Sequence, residues 1–261
     1  MIRIEKITSK LETDFIGREI HYFRKLSSTN TTAKEQAKKR AKEGTTIIAE
    51  TQTNGKGRLN RRWISPKGGI WLSIILRSKV TAEDAAKITV TTALAVAKTL
   101  RILYGLKAQI KWPNDVLIQN KKICGILVEA TLKEKTVDSL VVGIGLNANF
   151  TLRDLPQGLQ TTATTLEEVL KKKVDLEELI CLILREFEEY YKRFNEKEFS
   201  DLLSEYRSMA SFLGKKVAIT SLNETLTGVA IGVDKNGELI MRLQNGIKRK
   251  IVSGDLVVIE D

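Results

Sequence analysis

The chain changes character at about residue 213. Beyond this point short runs of alternating apolar and polar residues are separated by Asp-Lys-Asn-Gly at 234–237, Gln-Asn-Gly at 244–246 and Ser-Gly-Asp at 253–255. Asn-Gly pairs between such runs are strong hairpin signals, because both residues accept the positive φ values of tight turns. The pattern therefore predicts a small all-β domain over residues 213–261 and a larger domain over residues 1–212.

The larger domain mixes helical and strand-like patterns. Residues 31–43 are rich in alanine and long charged side chains, and Gly44 is placed to end a helix. Residues 82–103 keep apolar side chains at helical spacing, and so do residues 176–208. A mixed β-sheet covered by these helices is expected from strand-like runs at residues 46–51, 69–76, 108–112, 116–118, 123–129 and 140–144.

Composition restricts the chemistry more than the fold. His21 is the only histidine, and Cys124 and Cys181 lie far apart among apolar residues. A Ser-His or Cys-His nucleophile, a zinc site and a disulfide framework are therefore not expected. Lys and Arg number 43 against 32 Asp and Glu, and the resulting charge of +11 attracts anions such as nucleotides, acidic proteins and nucleic acids. Cations and backbone N–H groups are left as the catalytic groups.

Residues 55–63, Gly-Lys-Gly-Arg-Leu-Asn-Arg-Arg-Trp, combine glycines, cations and an indole. This combination suits a mobile loop that closes over an anionic ligand with a flat ring. Glycine lets N–H groups approach phosphate oxygens, and Trp63 can stack on adenine. The ordinary alternatives are a solvated basic loop and a core position for Trp63.

A second segment, Lys-Trp-Pro-Asn-Asp at 111–115, places a cation at the end of a predicted strand. Pro113 favours extended backbone before it and Asn-Asp favours a turn after it, so Lys111 projects as a fixed charge. Joining a carboxylate to the α-phosphate of ATP brings like charges together, and cations with N–H donors stabilise that arrangement. The two segments therefore indicate a site that activates a carboxylic acid with ATP. Taken alone, Lys111 could equally be a surface lysine.

Read with three further segments, these residues resemble the biotin protein ligases. The segments are Ser-Ser-Thr-Asn at 27–30 with Gln52, Lys-Ile-Cys-Gly-Ile-Leu-Val-Glu at 122–129 and Gly-Ile-Gly-Leu-Asn at 143–147. The resemblance implies an α+β fold, with a class II synthetase-like mixed sheet covered by helices and a C-terminal SH3-like β-barrel. It also implies ATP-dependent ligation of biotin, through biotinyl-5′-AMP and pyrophosphate release, to a lysine of a biotin carboxyl carrier protein.

The resemblance assigns roles to individual residues. Lys111 and Arg58 match the catalytic cations, one holding the carboxylate against the α-phosphate and the other ordering over the intermediate. Asp115 is expected near the Mg²⁺ that ATP brings with it. Residues expected to bind biotin are Ser28, Thr29, Gln52, Gly55, Lys56, Gly57, Lys111, Gly125 and Gly145. Residues expected to bind ATP are Asn30, Arg58, Arg61, Trp63, Asn114, Asp115, Lys122 and Asn147.

Some of these residues also have purely structural explanations. Ser28, Thr29 and Asn30 precede a predicted helix, where capping is their default role. Lys122 follows a predicted turn and could be solvated. Lys56 departs from the family, where arginine is usual, and lysine lacks the bidentate fork of arginine.

Two rival functions are compatible with the chain. A lipoate or octanoate ligase shares the fold, but Ser28 and Gln52 suit a ureido group, and the arginine-and-triple-glycine motif of that family is absent. A biotin-sensing repressor or another nucleic-acid-binding protein is suggested by the charge of +11. Repressor members carry an N-terminal winged helix, whereas only 27 residues precede Ser28 here, so specific DNA binding is not expected.

The expected partners are biotin, ATP and the carrier protein, and the resemblance also allows a homodimer through an exposed sheet edge. No apolar run approaches the roughly 20 residues that span a bilayer. We therefore expect a cytoplasmic protein.

Overall fold

The computed structural model describes residues 2–77, 81, 83–133, 136–196, 198–221 and 224–259. Parts of three predicted segments lie outside these ranges: Ala82, residue 197, and residues 222–223 and 260–261. The described helices are α1 Ile4–Lys10, α2 Thr29–Lys38, α3 Asp84–Tyr104, α4 Gln157–Gln160, α5 Leu166–Leu170, α6 Leu176–Asn195 and α7 Phe199–Met209. None of these helices is both long enough and apolar enough to cross a membrane.

The first sheet is mixed, as predicted. Its strands are β1 Ile20–Leu26, β2 Thr46–Lys56, β3 Arg62–Ser65, β4 Ile70–Leu76, β5 Gln109–Lys111, β6 Asp115–Ile118, β7 Lys121–Lys133 and β8 Thr136–Leu146. They are ordered β1-β2-β4-β8-β7-β6-β5, with β3 paired to β2. The β1–β2 pair is parallel and the others are antiparallel.

The two faces of this sheet have different coverings, which follows from the period of two along each strand. In β4, Leu72 and Ile74 belong to the main core, against which α3 packs, while α6 and α7 pack against α3. Ile75 points the other way and packs with Ala33 and Ala37 of α2. The candidate site lies on the face of the sheet that α2 covers.

Two helix predictions differ from the structure. The helix predicted over residues 31–43 is α2, which begins two residues earlier and ends at Lys38 because Arg40 takes a φ of +66°. Gly44 therefore does not end it; a Cβ there would lie 2.3 Å from the carbonyl oxygen of Phe15, so glycine serves close packing. The residues predicted as helical over 176–208 form two helices, α6 and α7. Because the apolar spacing is similar in both helices, the sequence pattern did not indicate that they are separate.

The second sheet is antiparallel and contains the predicted hairpins. Its strands are β9 Lys216–Thr220, β10 Thr225–Val233, β11 Leu239–Leu243, β12 Lys248–Ile251 and β13 Asp255–Val258, ordered β12-β11-β10-β9-β13. Gly237 and Gly246 take φ values of +81° and +84° in the two turns that contain Asn-Gly. The indole nitrogen of Trp112 donates to the carbonyl of Gly237 at 3.1 Å and so links the two sheets. The α+β fold class is confirmed.

Candidate active site

One row of paired residues crosses the first sheet and carries several predicted site residues. Lys111 pairs with Asp115, and Asp115 pairs with Gly125. Gly125 pairs with Gly145, and Gly145 with Trp71. Directly opposed residues of antiparallel strands point to the same face of the sheet. Lys111 and Asp115 therefore share a face with the two glycines, whose missing side chains leave the sheet surface open.

A narrow cavity of about 40 Å³ lies on this open surface. The predicted residues that line it are Ser28, Thr29, Asn30, Gln52, Lys56, Gly57, Trp63, Asn114, Gly125 and Gly145. Leu72, Ile126, Leu127, Gly143 and Ile144 complete the lining. A neighbouring cavity of about 400 Å³ shares Lys56, Gly57 and Leu127 with it and is also lined by Gly55, Arg58, Arg61 and Glu129. Most predicted ligand-binding residues are thus gathered around two adjoining spaces.

Trp63 rests directly on the open surface. A Cβ atom at Gly125 would lie 2.7 Å from Cζ3 of the indole, and one at Gly145 would lie 2.5 Å from its Nε1. The ammonium of Lys122 lies 5.0 Å from the ring centroid, within cation–π range. The indole Nε1 is buried and has no hydrogen-bond partner among the described residues. Side chains at either glycine would expel this ring.

Ser28 lies at the start of α2, and its hydroxyl does not cap the helix. It occupies the N-cap position, yet its side chain makes no capping hydrogen bond. The residue is only 1% exposed and lines the cavity. The capping explanation therefore does not apply to its side chain.

Gln52 has its amide orientation fixed by its neighbours. Oε1 accepts from the backbone N–H of Thr29 at 2.7 Å and lies 3.1 Å from Oγ1 of Thr29. Nε2 donates to the hydroxyl of Ser65 at 2.8 Å. Because an N–H can only donate, the contact with the Thr29 backbone sets which end of the amide faces α2.

Residues 55–63 form a hairpin instead of the predicted loop. Strand β2 continues to Lys56, and it pairs with β3 at Gly55–Trp63 and Lys56–Arg62. The backbone N–H of Gly57 donates to the carbonyl of Arg61 at 2.7 Å and closes the tip. Strand pairing thus fixes where Lys56 and Trp63 meet the cavity.

Arg58 joins this hairpin to the second predicted segment. Its Nη1 donates to Oδ1 of Asn114 at 3.2 Å and to the carbonyl of Gly254 at 3.3 Å. Burial lowers the pKa of the guanidinium, while the carboxylates of Asp255 and Asp115 oppose that shift. Arginine stays protonated in proteins, so Arg58 is a partly desolvated permanent cation.

Lys111 and Lys122 differ in their pairing. Lys111 is half-buried at the end of β5 and makes no side-chain hydrogen bond or ion pair with the described residues. Nζ of Lys122 lies 2.6 Å from Oδ1 of Asp115 in an ion pair that is not aligned as a hydrogen bond. Lys111 is therefore the cation of the two that is available to a ligand.

Four predicted site residues line neither of the two cavities: Lys111, Asp115, Lys122 and Asn147. Asn147 is buried, donates its side-chain amide to the carbonyl of Thr164 at 3.0 Å and does not line the cavity. The described residues contain no group of three or more His, Cys, Asp or Glu side chains that could hold a metal ion. Asp115, the carboxylate expected near Mg²⁺, already has Lys122 as its cation.

The comparisons with known proteins agree with this geometry. Residues 22–147 match the Biotin/lipoate A/B protein ligase family, and residues 212–258 match the Biotin protein ligase C terminal domain. The bifunctional ligase/repressor BirA of Bacillus subtilis is 38% identical over 94% of this chain and 76% of its own length. The chain belongs to the biotin protein ligase family.

Other members of the biotin protein ligase family support the same assignment. The biotin–[acetyl-CoA-carboxylase] ligase of Paracoccus denitrificans is 29% identical over 75% of this chain and 83% of its own length. The biotin protein ligase of Aquifex aeolicus, solved in complex with biotin and ATP, superimposes with a TM-score of 0.82 and 31% identity. That alignment covers 94% of this chain and 100% of the Aquifex chain. The family predicted from the sequence is confirmed.

Four polar residues at the site were not assigned from the sequence. They are Lys34, Ser65, Ser73 and Glu129, which hydrogen-bond to predicted residues. Ser73 did carry a signal, because it is the single polar residue in the buried run Ile70–Leu76. Lys34 and Glu129 lie 95 positions apart and have no local pattern in common.

Proposed function

We propose that the protein ligates biotin to a lysine of a biotin carboxyl carrier protein in two ATP-dependent half-reactions. The observation that carries this proposal is the cavity itself. It combines polar groups at the start of α2 and at Gln52 with a glycine surface and a rim of cations. That combination suits a bicyclic acid bound beside a nucleotide.

The polar end of the cavity suits the ureido group of biotin. This group has two N–H donors and one carbonyl acceptor, and it needs polar partners inside an otherwise apolar pocket. The hydroxyls of Ser28 and Thr29 line the cavity, and Gln52 lies beside them. For the biotin rings to contact Gly125 and Gly145, the indole of Trp63 has to move away from these glycines.

The cations serve the first half-reaction. A carboxylate oxygen of biotin attacks the α-phosphorus of ATP, the bond from that phosphorus to the bridging oxygen breaks, and pyrophosphate leaves. Lys111 and Arg58 stabilise the charge on the reacting oxygens. Lys56 adds a third positive charge at the boundary of the two cavities.

The second half-reaction needs little more from the protein. The amine of the acceptor lysine attacks the acyl carbon of biotinyl-5′-AMP, loses a proton and forms an amide, and AMP leaves. The hairpin at residues 55–63 covers the cation-lined cavity and limits access of water to the mixed anhydride.

Mg²⁺ is proposed to arrive with ATP, held mainly by phosphate oxygens. Mg²⁺ usually keeps several waters and binds one or two carboxylates together with substrate phosphates. Asp115 fits as a single carboxylate ligand, and its buried Oδ1 has no aligned hydrogen-bond donor among the described residues. Binding there requires Lys122 to release its ion pair.

The remaining parts of the proposal concern organisation. Residues 1–212 are proposed as the catalytic domain and residues 213–261 as an SH3-like cap, an arrangement supported by the second sheet beginning at Lys216. We also propose a cytoplasmic location and ligation without specific DNA binding. A homodimer through an exposed strand edge is retained as a proposal.

Biotin-dependent exchange between ATP and pyrophosphate, measured in parallel with lipoate, tests the proposed chemistry. Exchange with biotin alone is the expected result. Exchange with lipoate alone would retain the adenylation chemistry and overturn the biotin assignment. Exchange with neither acid would overturn the proposed first half-reaction.

A further inference from the structure

A chain of hydrogen bonds runs from the edge of α2 into the cavity. Nζ of Lys34 donates to Oε1 of Glu129 at 2.7 Å, and Nδ2 of Asn30 donates to Oε2 at 2.8 Å. Oδ1 of Asn30 accepts from the hydroxyl of Ser73 at 2.6 Å. Oγ of Ser73 lies 2.8 Å from Oγ1 of Thr29, which lines the cavity.

The side chains that form this series of hydrogen bonds are closely packed and have little room to reorient. Ser73 is fully buried and Asn30 is 4% exposed. A Cβ atom at Gly143 would lie 2.2 Å from Oδ1 of Asn30, so the side-chain amide rests directly on the strand backbone. Burial raises the pKa of Glu129, but hydrogen bonds from Lys34 and Asn30 outweigh it and leave the pKa lowered. Glu129 is therefore an anion at neutral pH.

The negative charge of Glu129, together with the carbonyl of Leu127 at 3.3 Å from Nδ2 of Asn30, fixes the direction of the hydrogen bonds made by Asn30 and Ser73. An ionised carboxylate only accepts, so Asn30 must turn Nδ2 towards Glu129 and Oδ1 towards Ser73. The single hydroxyl proton of Ser73 is then used on Asn30. The hydroxyl proton of Thr29 is left for Ser73 or for Oε1 of Gln52, both within 3.1 Å. In either case Thr29 keeps a lone pair for a ligand N–H.

We propose that Glu129 is a positioning residue that, through Asn30 and Ser73, holds the Thr29 hydroxyl as a hydrogen-bond acceptor for the N–H donors of the substrate. This inference rests on the proposed function, because the ureido group of biotin supplies those donors. It also gives Glu129 a part in specificity. Acids without N–H donors, such as lipoate, gain nothing from this acceptor.

The first test is the Glu129→Gln variant in the biotin-dependent pyrophosphate exchange assay. Loss of the fixed polarity is expected to raise the KM for biotin about tenfold, the factor expected for about one hydrogen bond, and to leave the KM for ATP within about twofold. The matched control is Glu205→Gln, which changes a half-buried carboxylate on α7 that is hydrogen-bonded to Tyr190 and Arg193. Both KM values of the control are expected to equal those of the wild type.

A swapped pair separates polarity from general damage. In the double variant Asn30→Asp with Glu129→Gln, the new amide at position 129 donates to the new carboxylate at position 30, which still accepts from Ser73. The KM for biotin of the double variant is expected to be lower than that of either single variant. A double variant as impaired as the two single variants combined would overturn the proposal.

The outcomes distinguish this inference from the function on which it rests. A wild-type protein without biotin-dependent exchange overturns the proposed function itself. An active wild type with an unchanged KM for biotin in Glu129→Gln, or with equal rises for biotin and ATP, overturns the role of Glu129. If circular dichroism shows that Glu129→Gln is unfolded, Ser73→Ala interrupts the same chain without a change in charge. The KM for biotin of Ser73→Ala then decides by the same rule.

Discussion

The guanidinium of Arg61 is ion-paired with the carboxylate of Asp255, so the tip of the hairpin at residues 55–63 is tied to the second sheet. Arg58 adds a second tie through the carbonyl of Gly254. None of the described residues that line the narrow cavity belongs to the second sheet. The second sheet can therefore influence ligand binding in the narrow cavity by holding the hairpin that carries Lys56 and Trp63.

Asp255→Ala is expected to weaken ATP binding more than it weakens folding. An exposed ion pair contributes about 1 kcal/mol or less to stability, so the free energy of unfolding should change by no more than that. The KM for ATP should rise about threefold to tenfold as the hairpin loosens, which is roughly 0.7–1.4 kcal/mol of binding free energy. Glu224→Ala is the control, because it removes the exposed partner of Arg249 on the same sheet. Equal KM values for ATP in the two variants would contradict the coupling.

Lys111→Ala should lower the rate of biotin-dependent pyrophosphate exchange by about 100-fold or more, the range found when one charge-stabilising donor is removed from an active site. Lys111 has no side-chain partner among the described residues, so the melting temperature should stay close to that of the wild type. The matched control is Lys107→Ala, an exposed lysine four residues earlier. Similar exchange rates in both variants would remove Lys111 from the catalytic role.

Trp63→Ala should raise the KM for ATP, because base–aromatic stacking is worth about 1–3 kcal/mol. Trp63→Phe keeps an aromatic face and should retain most of the affinity. Steady-state exchange kinetics, with ATP and biotin varied in turn, provide the comparison. A larger effect on the KM for biotin than on that for ATP would place the indole beside the acid instead of the nucleotide.

Glu188 should make stability depend on acid pH. Its side chain is 2% exposed and accepts from the backbone N–H groups of Asp14, Phe15 and Ile16 at 2.6, 2.9 and 2.8 Å. Burial raises the pKa of Glu188, but these donors together with Lys192 outweigh it and leave the pKa lowered. The stabilisation is therefore present above the ordinary pKa of glutamate and is lost as the pH falls through the lowered folded-state value.

Urea unfolding of Glu188→Gln checks this prediction. At about pH 7 the variant should lose about 3 kcal/mol of unfolding free energy, because a buried carboxylate with several donors is replaced by a neutral amide. The difference from the wild type should shrink towards about pH 3. Glu189→Gln, the exposed neighbour on the same helix, should change stability by less than about 0.5 kcal/mol. A pH-independent difference would show that the charge of Glu188 is not responsible.

Local signals in the sequence predicted the features that depend on neighbouring residues. The Asn-Gly turns of the second sheet follow from the conformational needs of positions 237 and 246. Family motifs indicate Ser28, Gln52, Gly125 and Gly145, but they do not indicate how these residues meet in space.

Contacts between distant segments were not predictable from local pattern. Asn30 and Glu129 are 99 positions apart, and Arg58 reaches a carbonyl 196 positions away. The extension of β2 through Asn54-Gly55 depends on a partner strand, β3, that overrides the turn preference of that dipeptide. In each of these cases the partner residue is not indicated by the local pattern around the residue that contacts it.

The row of paired residues Lys111, Asp115, Gly125 and Gly145 makes the shape of the ligand site depend on the register of the strands. Side chains alternate between the two faces of a strand, so a slip of one residue in β7 would replace Gly125 in this row by Cys124 or Ile126. A thiol or an isoleucine side chain would then project where the indole of Trp63 rests. A chain that pairs these strands wrongly would obstruct its own ligand site, so ligand binding would select the correctly paired sheet.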